Sequence, residues 1–201
     1  MIKLAITGGL CSGKSTVSGM LRERGVPVVD ADAISHHVLQ GEAKAAVVEQ
    51  FGPGIEGKDG RVVPERLAAL VFAPGAHQAL TALNKILHPR IIAEADRELR
   101  RFGSEGAAMA GVEAALFIEA GRLGGFDKVI LVEAGVEERV RRFVARGSGT
   151  ADQARGRMAH QWSDEEKARY ADYIIENDGP LAATARQVEV MLARLQVEVS
   201  L

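Results

Sequence analysis

The sequence has little with which to cross-link itself or to enter a bilayer. It carries one cysteine, Cys11, among 201 residues. No internal disulfide can form, and a single thiol suits a reducing, cytoplasmic setting. No apolar run approaches the roughly 20 residues that span a hydrocarbon core, so neither a membrane span nor a membrane partner is expected. Met1 leads almost at once into an apolar run and then a glycine-rich loop, so no signal peptide is expected. A surplus of one charge is also missing: the net charge of −2 argues against general nucleic-acid binding. Internal repeats, heptads and low-complexity tails are absent. The histidines (His36, His37, His77, His88, His160) show no metal-ligand spacing, and no Ser-His-Asp arrangement stands out. No D-x-x-G occurs. Asn84-Lys85 runs on into Ile86-Leu87, so the guanine-specifying N-K-x-D is missing and a GTP switch is not expected.

What is present begins with Gly8-Gly9-Leu10-Cys11-Ser12-Gly13-Lys14-Ser15, which fits G-x-x-x-x-G-K-[ST] without a mismatch. It follows the apolar run Ile2–Thr7 and precedes a helix-compatible segment, Thr16 to Arg24. Strand, glycine loop and helix together make a phosphate site. The glycines let backbone N–H groups turn around phosphate oxygens, and the helix N-terminus adds its positive end. Lys14 can then reach the β- and γ-phosphates, and Ser15 can ligate Mg²⁺. Gly9, Cys11, Ser12, Gly13, Lys14, Ser15 and Thr16 are the expected ATP-loop residues, and Ser15 is the expected metal ligand.

Apolar residues make up 47% and charged residues 26%, ordinary for one soluble domain with a full core. Short apolar segments alternate with helical patterns: Ile2–Thr7, Val26–Asp30, Ala107–Val112, Lys128–Glu133 and Tyr173–Glu176. They predict a five-stranded parallel sheet covered by helices, an α/β P-loop NTPase core. Residues 31–106 are far more than one crossover helix needs. They hold a turn region from Gly52 to Gly60, a helix opened by Pro64, and leucines at helical spacing (Leu67, Leu70; Leu80, Leu83, Leu87). His88-Pro89 is expected to break that pattern before a further helix to Arg101. The predicted division is a core of residues 1–40, 107–146 and 171–201, a helical acceptor-binding insertion at 41–106, and a small lid at 147–170. Gly147-Ser148-Gly149-Thr150 reads as its hinge. Thr150 with Gln153 and Ser163 with Glu166 fit capping boxes.

Ligands of open parallel sheets bind beyond the carboxyl ends of the strands. Asp30 and Asp32 lie at such an end. Either can take a proton from an acceptor hydroxyl, hold Mg²⁺ through water, or cap a helix beginning near Ala33. Arg139, Arg142 and Arg146 are spaced to share one helix face, beside the apolar stripe Val136, Val140, Phe143 and Val144. Arginine forks suit phosphate, and a solvated helix face is the alternative. Arg141 is expected to face solvent.

Taken together the motifs resemble the dephospho-CoA kinase family, P-loop kinases of the nucleoside-monophosphate-kinase type. The resemblance runs through Thr7–Thr16, Asp30-Ala31-Asp32-Ala33-Ile34, Ile86-Leu87-His88-Pro89 and Leu116–Glu119. It ends in Gln161, Glu165, Lys167, Ala171-Asp172, Ile175, Asn177 and Gly179. It implies transfer of the γ-phosphoryl of ATP to the ribose 3′-hydroxyl of dephospho-CoA with Mg²⁺, the last step of CoA synthesis. It implies Asp32 as base, Arg142 and Arg146 on the ATP and lid side with Arg146 catalytic beside Lys14, and Asn177 near the adenine. Asp32, His36 and His88 are implied on the acceptor side. Five positions depart from the family's pattern: Cys11 for glycine, His36 and Pro64 for arginines, Ala115 for proline and Gly147 for aspartate. Another small-molecule P-loop kinase, or an ATP-binding regulatory protein with little catalysis, are the alternatives.

Overall fold

The computed structural model describes residues 1–73, 75–115, 117–119, 121, 123–159 and 161–199, with side chains to 197. Leu116 and His160 of the sequence reading lie outside the described residues. The chain forms β1 (Ile2–Gly8), α1 (Lys14–Glu23), β2 (Val28–Asp30), α2 (Ala31–Gln40), α3 (Lys44–Phe51), α4 (Pro64–Val71) and α5 (His77–Ser104). There follow β3 (Met109–Glu113), β4 (Lys128–Glu133), α6 (Val136–Ala145), α7 (Ala151–Met158), α8 (Asp164–Ala168), β5 (Tyr173–Glu176) and α9 (Leu181–Val199). Among the described residues no helix is long and apolar enough to cross a membrane.

All five strands are parallel, in the order β2-β3-β1-β4-β5, as the alternating pattern predicts. β1 is therefore central, and the loop that follows it opens at the carboxyl edge of the sheet. β2 begins later than the apolar run because Pro27 has no N–H to give to a ladder; its carbonyl still accepts from Gly111 N at 2.8 Å. Helices cover the sheet through Leu4, Ile6, Val17, Leu21, Ile130, Ile175, Val188 and Leu195, all within the core. Each such side chain contributes about 1.5–3 kcal/mol by leaving water.

The chain divides into two units, Met1–Asp30 with Leu99–Leu201, and Ala31–Glu98. The breaks fall at 30/31 and 98/99, against the expected 40/41 and 106/107. The helical unit has its own core, in which Val38 and Leu39 of α2 join Val47, Ile55, Val62, Leu67, Val71 and Leu87. Gln40 binds the backbone of Val62 with both ends of its amide, at 2.7 and 3.0 Å.

Pro89 does not break the helix: α5 runs unbroken through it. Proline there forfeits a hydrogen bond at a cost of about 3 kcal/mol. Arg90 Nη1 donates to the Ile86 carbonyl at 2.6 Å within the affected turn. Leu83 and Leu87 before the proline, and Ala95 and Leu99 after it, are buried, which offsets the loss. Both capping boxes form, at Thr150 for α7 and at Ser163 for α8.

Candidate active site

The loop between β1 and α1 has a shape that glycine makes possible. Gly13 has φ 100, and a Cβ on it would fall 1.9 Å from Asn177 Nδ2. A Cβ on Gly9 would fall 2.1 Å from Arg139 Nη2. Cys11 takes φ 57, a left-handed conformation that side chains disfavour. Lys14 starts α1, earlier than the Thr16 start expected, and arches back so that Nζ lies 3.1 Å from Gly8 O and 3.2 Å from Gly9 O. Ser15 is exposed in the first turn.

Side chains from three other places hold the loop from behind. Arg139 Nε donates to Leu10 O at 2.8 Å, and Leu10 N donates to Gln161 Oε1 at 2.8 Å. Ser12 O accepts from Arg142 Nη1 at 3.1 Å and from Asn177 Nδ2 at 2.8 Å. Arg142 Nη2 also reaches Asn177 O at 2.5 Å, while Thr184 donates to Asn177 Oδ1 at 2.9 Å. Arg142 and Asn177, both expected near ATP, thus meet at the loop's carbonyls. The expected α6 face is divided. Arg139 is 6% exposed and Phe143 1%, whereas Val136 and Val144 of the supposed apolar stripe are exposed. Arg146 is exposed at the end of α6. Arg141 faces solvent, as expected, with Nη2 2.7 Å from Glu138.

Two cations beside this layer are buried, each against a half-buried carboxylate. Arg139 Nη1 lies 3.2 Å from Asp164 Oδ2. Lys167, fully buried, lies 2.9 Å from Glu119 Oε1. Burial raises the Asp164 carboxyl above its ordinary range, against the pull of Arg139 and Lys167.

At the sheet edge Asp30 and Glu113 end adjacent strands in register. Glu113 is 8% exposed. Burial pushes its carboxyl up; the Ser18 hydroxyl and Lys14 pull it down, Asp30 raises it further, and Arg22 opposes. Glu113 closes β3 one residue beyond the end expected at Val112 and is not among the expected site residues. The signal was an apolar run closing on an acid. Asp32 does not cap α2: the helix begins at Ala31, so Asp32 stands inside its first turn. Asp32 and His36 are exposed one turn apart on α2, and His88 is half-buried on α5. Among the described residues no group of three or more His, Cys, Asp or Glu is placed to hold a metal ion.

The sequence model of dephospho-CoA kinase matches residues 2–183. The chain belongs to the dephospho-CoA kinase family. A dephospho-CoA kinase of Symbiobacterium thermophilum is 41% identical over 189 residues, covering 92% of this chain and 78% of that protein. One from Corynebacterium glutamicum is 38% identical, covering 97% of this chain and 100% of its own. The crystal structure of TT1252 from Thermus thermophilus has a TM-score of 0.85 at 34% identity, over 96% of this chain and 97% of that one.

Proposed function

We propose that the protein is an ATP-dependent kinase that phosphorylates the ribose 3′-hydroxyl of dephospho-CoA, giving CoA. The observation that carries this reading is one edge of the sheet. A glycine loop with Lys14 arched over it stands beside two carboxylates, Asp30 and Glu113, on neighbouring strand ends. Loop amides and Lys14 hold the phosphates. Phosphoryl transfer needs little more than positioning and charge stabilisation. Mg²⁺ takes hard oxygen ligands and keeps several waters, so one hydroxyl and one or two carboxylates suffice beside the phosphates. Ser15, Asp30 and Glu113 fit that set, and two carboxylates close together in a partly buried place fit a cation between them. When bound, the ion offsets charge on the β- and γ-phosphates.

The acceptor's 3′-oxygen bonds to the γ-phosphorus as the bond from that phosphorus to the bridging oxygen breaks. ADP leaves with that electron pair, and the hydroxyl proton passes to a carboxylate. We assign that base to Asp32, with His36 and His88 on the acceptor side. Arg146 reaches the triphosphate from the hinge of the lid, where Gly147 and Gly149 have φ 68 and 143. The test is ADP release with ATP and Mg²⁺, with and without dephospho-CoA. Release that depends on dephospho-CoA is expected. Tight ATP binding without acceptor-dependent release points instead to a regulatory ATP-binding protein.

A further inference from the structure

Leu10 is gripped at both of its backbone groups, and neither grip belongs to the glycine motif. Its carbonyl accepts from Arg139 of α6, and its N–H donates to Gln161 from the segment leading into α8. Two residues on, Arg142 and Asn177 hold the Ser12 carbonyl. Cys11 stands between these clamps in the strained left-handed conformation. A backbone in such a state persists only where its surroundings over-determine it.

We propose that Arg139 is a positioning residue for ATP. Held in place by Asp164, it draws the Leu10 carbonyl outward and so keeps the loop amides turned toward the phosphates. This rests on the loop being the ATP site, as proposed above. A phosphate nest needs its N–H groups on the inside, so its carbonyls must find donors outside. The Arg139 guanidinium fills that outside so closely that residue 9 has no room for a Cβ. Packing alone does not account for the arginine. Burying a guanidinium against a half-buried carboxylate is a poor way to gain stability, and a well-packed apolar pair often does as well or better. Val140, Phe143 and Ala154 already form an apolar cluster here, with Leu10 and Cys11 packed against it. What an apolar residue at 139 cannot supply is a donor to Leu10 O. The carboxylate that orients this donor opens α8, where the Ser163–Glu166 capping box fixes the turn. The nest is thereby tied to the start of α8.

The experiment removes the charges as a unit. The double variant Arg139→Met with Asp164→Asn keeps the volume and leaves no half-buried carboxylate without its partner. Without nucleotide its unfolding midpoint is expected near that of the wild type. Its affinity for ATP·Mg and for ADP, titrated without acceptor, is expected to fall roughly 10- to 100-fold, the range for losing a charge-assisted donor. Affinity for AMP is expected to fall much less, because the nest grips the β- and γ-phosphates. The KM for ATP should rise with that for dephospho-CoA unchanged. A folded double variant that binds ATP as tightly as the wild type overturns the proposal. So does an equal loss for AMP and ATP, which would mean general damage. If the double variant does not fold, Arg139→Lys decides: it keeps a positive charge beside Asp164 but removes the guanidinium Nε that donates to Leu10 O. Its ATP affinity should fall several-fold with AMP spared, and unchanged ATP affinity overturns the proposal. Since these titrations omit the acceptor, a failure of dephospho-CoA turnover in the wild type would refute the acceptor assignment and leave this result to stand by itself.

Discussion

Cys11 sets a limit on its own replacement. Its φ of 57 costs about 1–2 kcal/mol for a residue with a Cβ, and a β-branched side chain fits there worst. Cys11→Gly relieves the strain while giving the unfolded chain more freedom, about 0.4–1 kcal/mol in the other direction. It should leave stability within about 1 kcal/mol and ATP affinity intact. Cys11→Val should raise the ATP KM at least tenfold. Equal ATP KM values for Val and Gly variants would show that the loop does not hold this backbone. Glu113 tests the sheet edge through pH. Burial raises its folded-state pKa above the ordinary 4.5, so between those values the native state binds more protons than the unfolded one. Stability from this group is therefore complete below the ordinary value and is lost as pH rises through the raised one. Glu113→Gln without Mg²⁺ or nucleotide should unfold at a higher temperature than the wild type at pH 7.5. The gap should close toward pH 4, and kcat should fall. A gap of the same size at both pH values would refute the buried-carboxylate account. The motif made the loop residues legible in the sequence. Glu113 was not, because a strand's last residue is the hardest part of it to place.

At the scale of elements, α6 shows what a helical repeat does and does not say. Spacing predicts that Arg139, Arg142 and Arg146 share a face, but not which neighbours that face meets. Three to four residues apart, one arginine is buried on Leu10, one reaches Ser12 O and Asn177 O, and the third is exposed. Arg141 and Arg142 both bind Glu138 and hold its carboxyl down at about 2, yet only Arg142 continues inward. Arg142→Ala should raise the ATP KM tenfold or more, while Arg141→Ala, losing one exposed ion pair, should be close to silent. Steady-state kinetics on both variants checks this, and equal effects would refute the division. β3 was expected at residues 107–112 and runs Met109–Glu113, its bounds blurred for a different reason. Ala110 and Gly111 are poor strand formers, but Gly111 leaves the room that Ile6 fills, a Cβ there falling 2.9 Å from Ile6 Cδ1. The continuity of α5 through Pro89 was likewise hidden, since leucines on both sides outweigh a local rule that forbids it.

At the scale of the whole molecule, chain order and working order differ. The unit that carries the loop is built from both ends of the chain, and the helical unit from the stretch between them. Alternating strand and helix patterns made the sheet legible. The unit boundary was not, since α2 follows β2 without a gap and is assigned to the helical core by tertiary contacts, the burial of Val38 and Leu39 and the bonds of Gln40 to Val62. This division gives a prediction that needs no mutation. Every group seen to grip the loop (Arg139, Arg142, Gln161, Asn177) belongs to the first unit, whereas Asp32, His36 and His88 belong to the second. In hydrogen exchange, ATP·Mg alone should protect residues 8–16, α6 and the segment around Gln161, because ordering the nest slows its local opening. Dephospho-CoA alone should protect α2 and the turn of α5 around His88. Acceptor protection confined to the first unit would remove Asp32 as the base and return that role to Asp30. Protection of both units by ATP alone would mean that the nucleotide orders the helical unit as well, and the separate assignment of the two substrates would fall.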